Sequence, residues 1–310
     1  MIAYIKKIDW KNYLFTPIIL LASTLITYYP SLFYDFQFDD IANIKKFFAL
    51  RTHSFWHFAF KGSRWISYWI NTINYSLGKF DPFYYRMGNV IFHTITGILI
   101  FFITLKLLKK TSLSGFYYKH AVSIATLTSC LFLLHPVQTQ TVSYVIQGQL
   151  EGLAGLFIMG IVLCFIIMST TKNKPLSYCM SIIIFMLGYI SCGTKEIAIL
   201  SPVMLLLIDW FFIAQADIKK IKTRIPFYTI LTTILIAQYL YVLKPHFFKT
   251  HLIGNIQLNN NVGNVITQFA GQKITRWNYL ISQFKVIIHY IWIFIDNIRK
   301  YIWIITHCIY

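Results

Sequence analysis

Carboxylates are scarce in this chain: 10 Asp and Glu stand among 310 residues, against 28 Lys and Arg. Charged residues of both signs reach only 12%, about half of what a solvated surface carries. That shortage excludes an ordinary soluble domain, because most of the surface has to face something other than water. Cysteine usage excludes two further classes. Cys130, Cys164, Cys179, Cys192 and Cys308 fall in or beside apolar stretches without a CxxC pair. Neither a disulfide framework nor a zinc site follows from that spacing, and all five read as small apolar packing residues.

What the chain has in abundance is apolar sequence, at 57% with a mean hydropathy of +0.59. Residues 14–34 carry no charge, and 87–105 lie between Arg86 and Lys106. A neutral run from Lys119 to Glu151 is broken at His135-Pro136. Residues 152–171, 175–194, 197–212 (interrupted by Asp209) and 225–243 follow, and 279–295, interrupted by Lys285 and His289, is an eighth candidate. Each approaches the ~20 residues that cross a bilayer; the eighth either crosses it or lies at its surface. The segment 14–34 is too long for the apolar core of a signal peptide and lacks a small-residue cleavage site, so it reads as a retained anchor. The expected fold is therefore all-α and integral to the membrane, a polytopic bundle of 7–8 transmembrane helices.

The net charge of +18 would suggest nucleic acid in a soluble protein. Here the cations follow topology instead, and nucleic-acid binding is disfavoured. Lys6, Lys7 and Lys11 precede the first span; Lys109, Lys110 and Lys119 follow the second; Lys172 and Lys174 follow the fourth; Lys219, Lys220, Lys222 and Arg224 follow the sixth. By the excess of Lys and Arg in cytoplasmic loops, these alternate segments and the N-terminus are cytoplasmic. Residues 35–86, 135–140, 194–196 and 244–278 are then exterior.

Six of the ten acids gather on that exterior side: Asp35, Asp39, Asp40, Asp81, Glu151 and Glu196. An acid at the rim of a bilayer is costly unless paired or hydrated, which makes it a functional candidate. Adjacent carboxylates such as Asp39-Asp40 repel, which raises one pKa toward the range of a usable base; an exposed turn capping the next helix is the alternative. Beginning at Arg64, residues 64–77 place Ile66, Trp69, Ile70, Ile73 and Leu77 on one helical face, suited to an interfacial helix resting on lipid. His135 in the polar turn 135–140 is either a hydrogen-bonded structural residue or a ligand contact. Lys195-Glu196 is an ion pair by adjacency or a solvated turn, and a cation there can meet a phosphate. Arg276 and Lys285 are either interfacial anchors or phosphate contacts. Oxygen ligands for a divalent cation could come from Asp39, Asp40 and Glu151, although no metal site is otherwise indicated.

Taken together, Asp39-Asp40, His135-Pro136-Val137-Gln138-Thr139, Glu151-Gly152-Leu153-Ala154, Lys195-Glu196 with Pro202 and Asp209, and the run from Arg276 to Phe284 resemble the membrane domain of the tetratricopeptide-containing O-mannosyltransferase-like proteins of the GT-C superfamily. The resemblance covers about residues 10 to 292 and implies a GT-C-like domain over residues 1–295, followed by an atypical tail, 296–310. It implies a glycosyltransferase moving mannose or a similar hexose from a polyprenyl-phosphate donor to an acceptor hydroxyl, such as protein Ser or Thr, on the extracytoplasmic face of a bacterial inner membrane or ER-type membrane. Its partners would be the lipid-linked donor, an acceptor protein and membrane lipids. By the same resemblance Asp39 would be the base and Asp40 its helper, Lys195 and Arg276 would meet the donor phosphate, and Glu151, Glu196, His135 and Arg64 would hold substrate or those cations. Two positions depart from the family pattern: Gln140 replaces an acid, and Gly148 stands where an Arg is usual. No repeat of about 34 residues follows, so the chain also reads as a shortened, frameshifted or fragmentary form, and a non-catalytic scaffold is the alternative. A transporter would place ionisable groups at mid-span in matched halves; that pattern is not seen here.

Overall fold

The computed structural model describes residues 11–47, 49–52, 56–57, 64–110 and 115–252, with 281–282, 284–290, 292 and 296 beyond them. It divides into two units, Met1–Phe247 and Phe248–Tyr310. In the second, residues 281–282, 284–290 and 292 are helical and exposed. They are the described part of the eighth candidate span; Arg276 lies outside the described residues.

The first unit is helical throughout, with no strand among the described residues. Its principal helices are α1 (Lys11–Tyr28), α2 (Trp65–Gly78), α3 (Pro82–Lys110), α4 (Ala121–Leu134), α5 (Leu153–Thr170), α6 (Lys174–Cys192), α7 (Ser201–Ile208) and α8 (Ile225–Leu252). In an apolar medium every backbone N–H and C=O has to be satisfied within the chain, and the helix does this segment by segment. Among the described residues, five stretches are long and apolar enough to cross a membrane: Phe15–Phe33, Pro82–Lys110, Val145–Thr170, Lys174–Cys192 and Glu196–Ile213. The pair Ala121–Leu134 and Pro136–Ser143, bent by 48° at Pro136, makes a sixth if it is one span, and Ile225–Leu240 is a shorter apolar helix. This is the build of a multi-pass membrane protein. The expected loop at 244–278 begins later than its sequence suggests, because α8 continues to Leu252.

Of five apolar clusters among the described residues, two hold the long helices together. Leu20 of α1, Phe101 of α3, and Ala121, Ala125 and Leu133 of α4 form one. Ile161 and Phe165 of α5, Ile184 of α6, Leu205 of α7, and Leu231 and Leu235 of α8 form the other. Contacts between α3 and α5 join them.

Three wide π-turns interrupt the helical regularity, at Ile41–Lys45, Gly148–Gly152 and Asp209–Ile213. Each carries or adjoins an acid: Asp40 precedes the first, Glu151 lies in the second, and Asp209 opens the third. Such turns are often found at functional sites.

Candidate functional site

The segment 145–152, which leads into α5, carries Glu151 and receives Asp40. Asp40 arrives from the loop after α1. Its side chain is fully buried; Oδ1 accepts the Ile146 N–H at 2.9 Å and Oδ2 the Gln37 N–H at 3.4 Å. The carboxylate thus caps a helical start 106 residues away, where partial positive charge favours an anion. Burial raises its pKa, opposed by these N–H donors and by Arg86. That corrects the expectation that repulsion within Asp39-Asp40 does so, since Asp39 is not among the causes. Asp35 behaves oppositely: exposed and 2.9 Å from Lys45, its carboxyl is held below the usual range by that bond.

Arg86 and Asn89, one turn apart on α3, fasten the same corner. Arg86 donates from Nε to the Ser143 carbonyl at 2.9 Å and from Nη2 to the Asp35 carbonyl at 2.7 Å. Asn89 Nδ2 donates to the carbonyls of Val142 and Val145 at 3.2 and 3.1 Å. These groups satisfy backbone freed where the helix breaks at the extended Tyr144. Sequence reading missed both residues; the signal was an arginine inside an otherwise apolar span. Asp39 stays exposed beside this clamp, its backbone N–H donating to the Tyr144 hydroxyl at 3.1 Å. Phe38 before it takes φ 47, a left-handed conformation costing about 1–2 kcal/mol for a residue with a Cβ.

Four more of the predicted residues form a double bridge. Lys195 is not paired with its neighbour Glu196 but with Glu151 of the π-turn, while Glu196 pairs with Arg64 through two guanidinium nitrogens, Nε at 3.3 Å and Nη2 at 3.4 Å. Arg64 holds φ 60 immediately before α2. Backbone contacts set these partners: the Ile66 N–H donates to the Gly193 carbonyl at 3.0 Å, and Ser67 Oγ to the Gln149 carbonyl at 2.7 Å. Gly193 permits the approach, since a Cβ there would overlap the Trp65 indole. His135 does not join the bridge. It is exposed, and its Nδ1 accepts the Val137 N–H at 3.2 Å.

The apolar face predicted for residues 64–77 lines a pocket more than it meets lipid. Trp65, Ile66, Trp69 and Ile70 of α2, Phe92 and Ile95 of α3, Leu153, Leu156 and Phe157 of α5, and Ile190 of α6 enclose about 440 Å³ together with Trp56. Leu77 alone of that face is largely exposed, at 63%. The adjoining polar stripe of α2, Ser67, Asn71 and Asn74, is buried against the bundle.

Behind the pocket, several buried amide atoms lack a hydrogen-bond partner: both of Asn71 and of Gln149, Nδ2 of Asn74 and Oδ1 of Asn89. Burying such a group unpaired costs about 1–3 kcal/mol. At Gly148 a Cβ would overlap the Asn89 amide, so a side chain there would displace Asn89.

Asp39, Asp40 and Glu151 do not offer a shared oxygen cage, because Asp40 is engaged by backbone N–H groups and Glu151 by Lys195. Among the described residues no group of three or more His, Cys, Asp or Glu side chains comes together. Comparison with protein-family models, with curated proteins and with solved structures finds no match to this chain.

Proposed function

We propose that the protein is a membrane glycosyltransferase of the GT-C type, moving mannose or a similar hexose from a polyprenyl phosphate to an acceptor hydroxyl such as protein Ser or Thr. One observation carries the reading: an apolar, tryptophan-lined pocket of about 440 Å³ beside a pair of half-exposed ion pairs. Lining residues Trp65 and Leu153 stand next to Arg64 and two positions after Glu151, and Ile190 lies five positions before Lys195. An isoprenoid chain suits the aromatic walls, and a lipid phosphate suits the cations at their edge.

Partly exposed ion pairs contribute about 0–1 kcal/mol, so Lys195 and Arg64 can exchange their carboxylates for a phosphate at little cost. The acceptor oxygen attacks the anomeric carbon, the carbon–oxygen bond to phosphate breaks with inversion, and the lipid phosphate leaves carrying the electron pair. The Asp39 carboxylate takes the hydroxyl proton, which a poor nucleophile needs at neutral pH. Asp40 holds that loop to the start of α5. Lys195 and Arg64 stabilise the charge on the departing phosphate. With the N-terminus cytoplasmic, this site faces the extracytoplasmic side.

Purified protein incubated with labelled polyprenyl-phosphate hexoses and a Ser/Thr-rich acceptor is expected to transfer label. Asp39→Asn is expected to lower transfer by about 10²- to 10⁴-fold with membrane insertion and thermal unfolding unchanged; undiminished transfer would remove Asp39 from the mechanism. Failure across a donor panel, with the protein folded, favours a non-catalytic scaffold. Gly148 lends that second reading its support, since the arginine of the resembled pattern would displace Asn89 here.

A further inference from the structure

The unpartnered amides form one seam. Asn71 is 1% exposed, Asn74 5%, Asn89 2% and Gln149 0%. Ser67, Asn71 and Asn74 stand at i, i+4 and i+7 on α2, one face of the helix. Ser67 reaches the Gln149 carbonyl, Asn74 lies against Gly88, and Asn89 lies against Gly148, so α2, α3 and residues 145–152, which carry the four amides, converge here.

None of the four amides lines the pocket; the seam lies about one helical turn beyond its apolar lining. Ile66 and Ile70 lead at i+4 spacing to Asn74 on α2. Phe92 is preceded at three residues by Asn89 on α3, and Leu153 at four residues by Gln149. On all three helices the apolar stripe therefore turns into an amide within one helical turn. Amides carry donor and acceptor without charge, which matches ring hydroxyls, whereas an ion would call for charged partners. Most buried polar groups in folded proteins are paired. Elsewhere among the described residues the unpartnered atoms include Arg86 Nη1 and Gln238 Oε1, but the seam gathers six amide atoms.

We propose that these amides are a hydroxyl-recognition subsite for the sugar ring of a glycosylated lipid phosphate, entered from the pocket as α2 tilts away from Gly88 and Gln149. The inference rests on the lipid-phosphate reading above and adds where the sugar is read.

Two probes separate the two readings on the full chain in nanodiscs: the mannosyl ester of a polyprenyl phosphate, and the cyclohexyl ester of the same lipid, which keeps chain, charge and ring but has no hydroxyls. The protein is expected to bind the mannosyl ester about tenfold more tightly, a difference of about 1.4 kcal/mol. Asn71→Leu and Gln149→Leu are each expected to bring the two affinities within about twofold. They should leave cyclohexyl-ester binding unchanged and the melting temperature equal or higher, because an unpaired amide is gone. Equal binding of the two esters by the unmodified protein, or a preference that survives both substitutions, overturns the subsite. A variant that melts lower marks its amide as structural and overturns that residue's assignment. Failure to bind either ester removes the lipid-phosphate reading and this one with it.

Discussion

The apolar stretch Glu196–Ile213 carries an ion pair near each end, and the two are built differently. At one end Glu196 meets Arg64, with side chains 39% and 41% exposed, beside Lys195 and Glu151 at 23% and 42%. At the other, about 20 Å along the stretch at 1.5 Å per residue, Asp209 is 0% exposed and Arg224 19%. Arg224 grips both Asp209 oxygens at 2.8 and 2.6 Å, and the Tyr228 hydroxyl donates a third bond at 2.8 Å. A buried pair joined by three hydrogen bonds fastens α8 to the end of α7 and is costly for a ligand to displace. The half-exposed pairs beside the pocket are simple to open. Burial and completeness, more than the presence of charge, separate a structural ion pair from a binding one.

The sharpest way to break that contrast is Arg224→Ala. It strands Asp209 as an unpaired buried charge and is expected to cost about 3–5 kcal/mol, read as a large fall in melting temperature in detergent. A loss below 1 kcal/mol would erase the distinction between the two ends.

A middle-sized effect is expected at Asp40, buried like Asp209 but held by backbone N–H groups. Asp40→Asn keeps one acceptor and turns a donor toward the other N–H, for a loss of about 1–2 kcal/mol. Because folding raises the Asp40 pKa above 3.8, its protonated form is the one that the fold favours. That contribution is complete below pH 3.8 and is lost as pH rises through the folded value. The stability gap between the parent and Asp40→Asn should therefore narrow as pH rises, in melting curves collected across that range. A gap that widens would reverse the assigned shift.

The smallest stability effect is expected at the pocket. Lys195→Ala leaves Glu151 hydrated and should change stability by no more than about 1 kcal/mol. The same substitution should weaken binding of a polyprenyl phosphate about tenfold or more, since a hydrogen bond to a charged group is worth about 1.5–3 kcal/mol. Similar losses in both measurements would make this bridge as structural as the other.

How far sequence reached depended on the range of the interaction. Apolar runs bounded by charge located α1, α3, α5 and α6, because lipid selects length and composition residue by residue. Periodicity placed Ile66, Trp69 and Ile70 on one face of α2, but not what they face; the other stripe, Ser67, Asn71 and Asn74, is the buried one. The candidate acids were visible because so few exist. Their partners were not: Asp40 caps Ile146, and Arg64 meets Glu196 across 132 residues. Adjacency suggested Lys195 with Glu196, whereas the π-turn at Gly148–Gly152 presents Glu151 to Lys195 instead.

The sequence by itself determined that the chain is helical and suited to an apolar medium, since hydropathy acts locally and needs no partner. Which acid is buried, which cation is spent on structure and which amides share one seam were decided by the tertiary structure alone. Those outcomes depend on how helices far apart in the chain exclude water from one another, and no single segment carries that information.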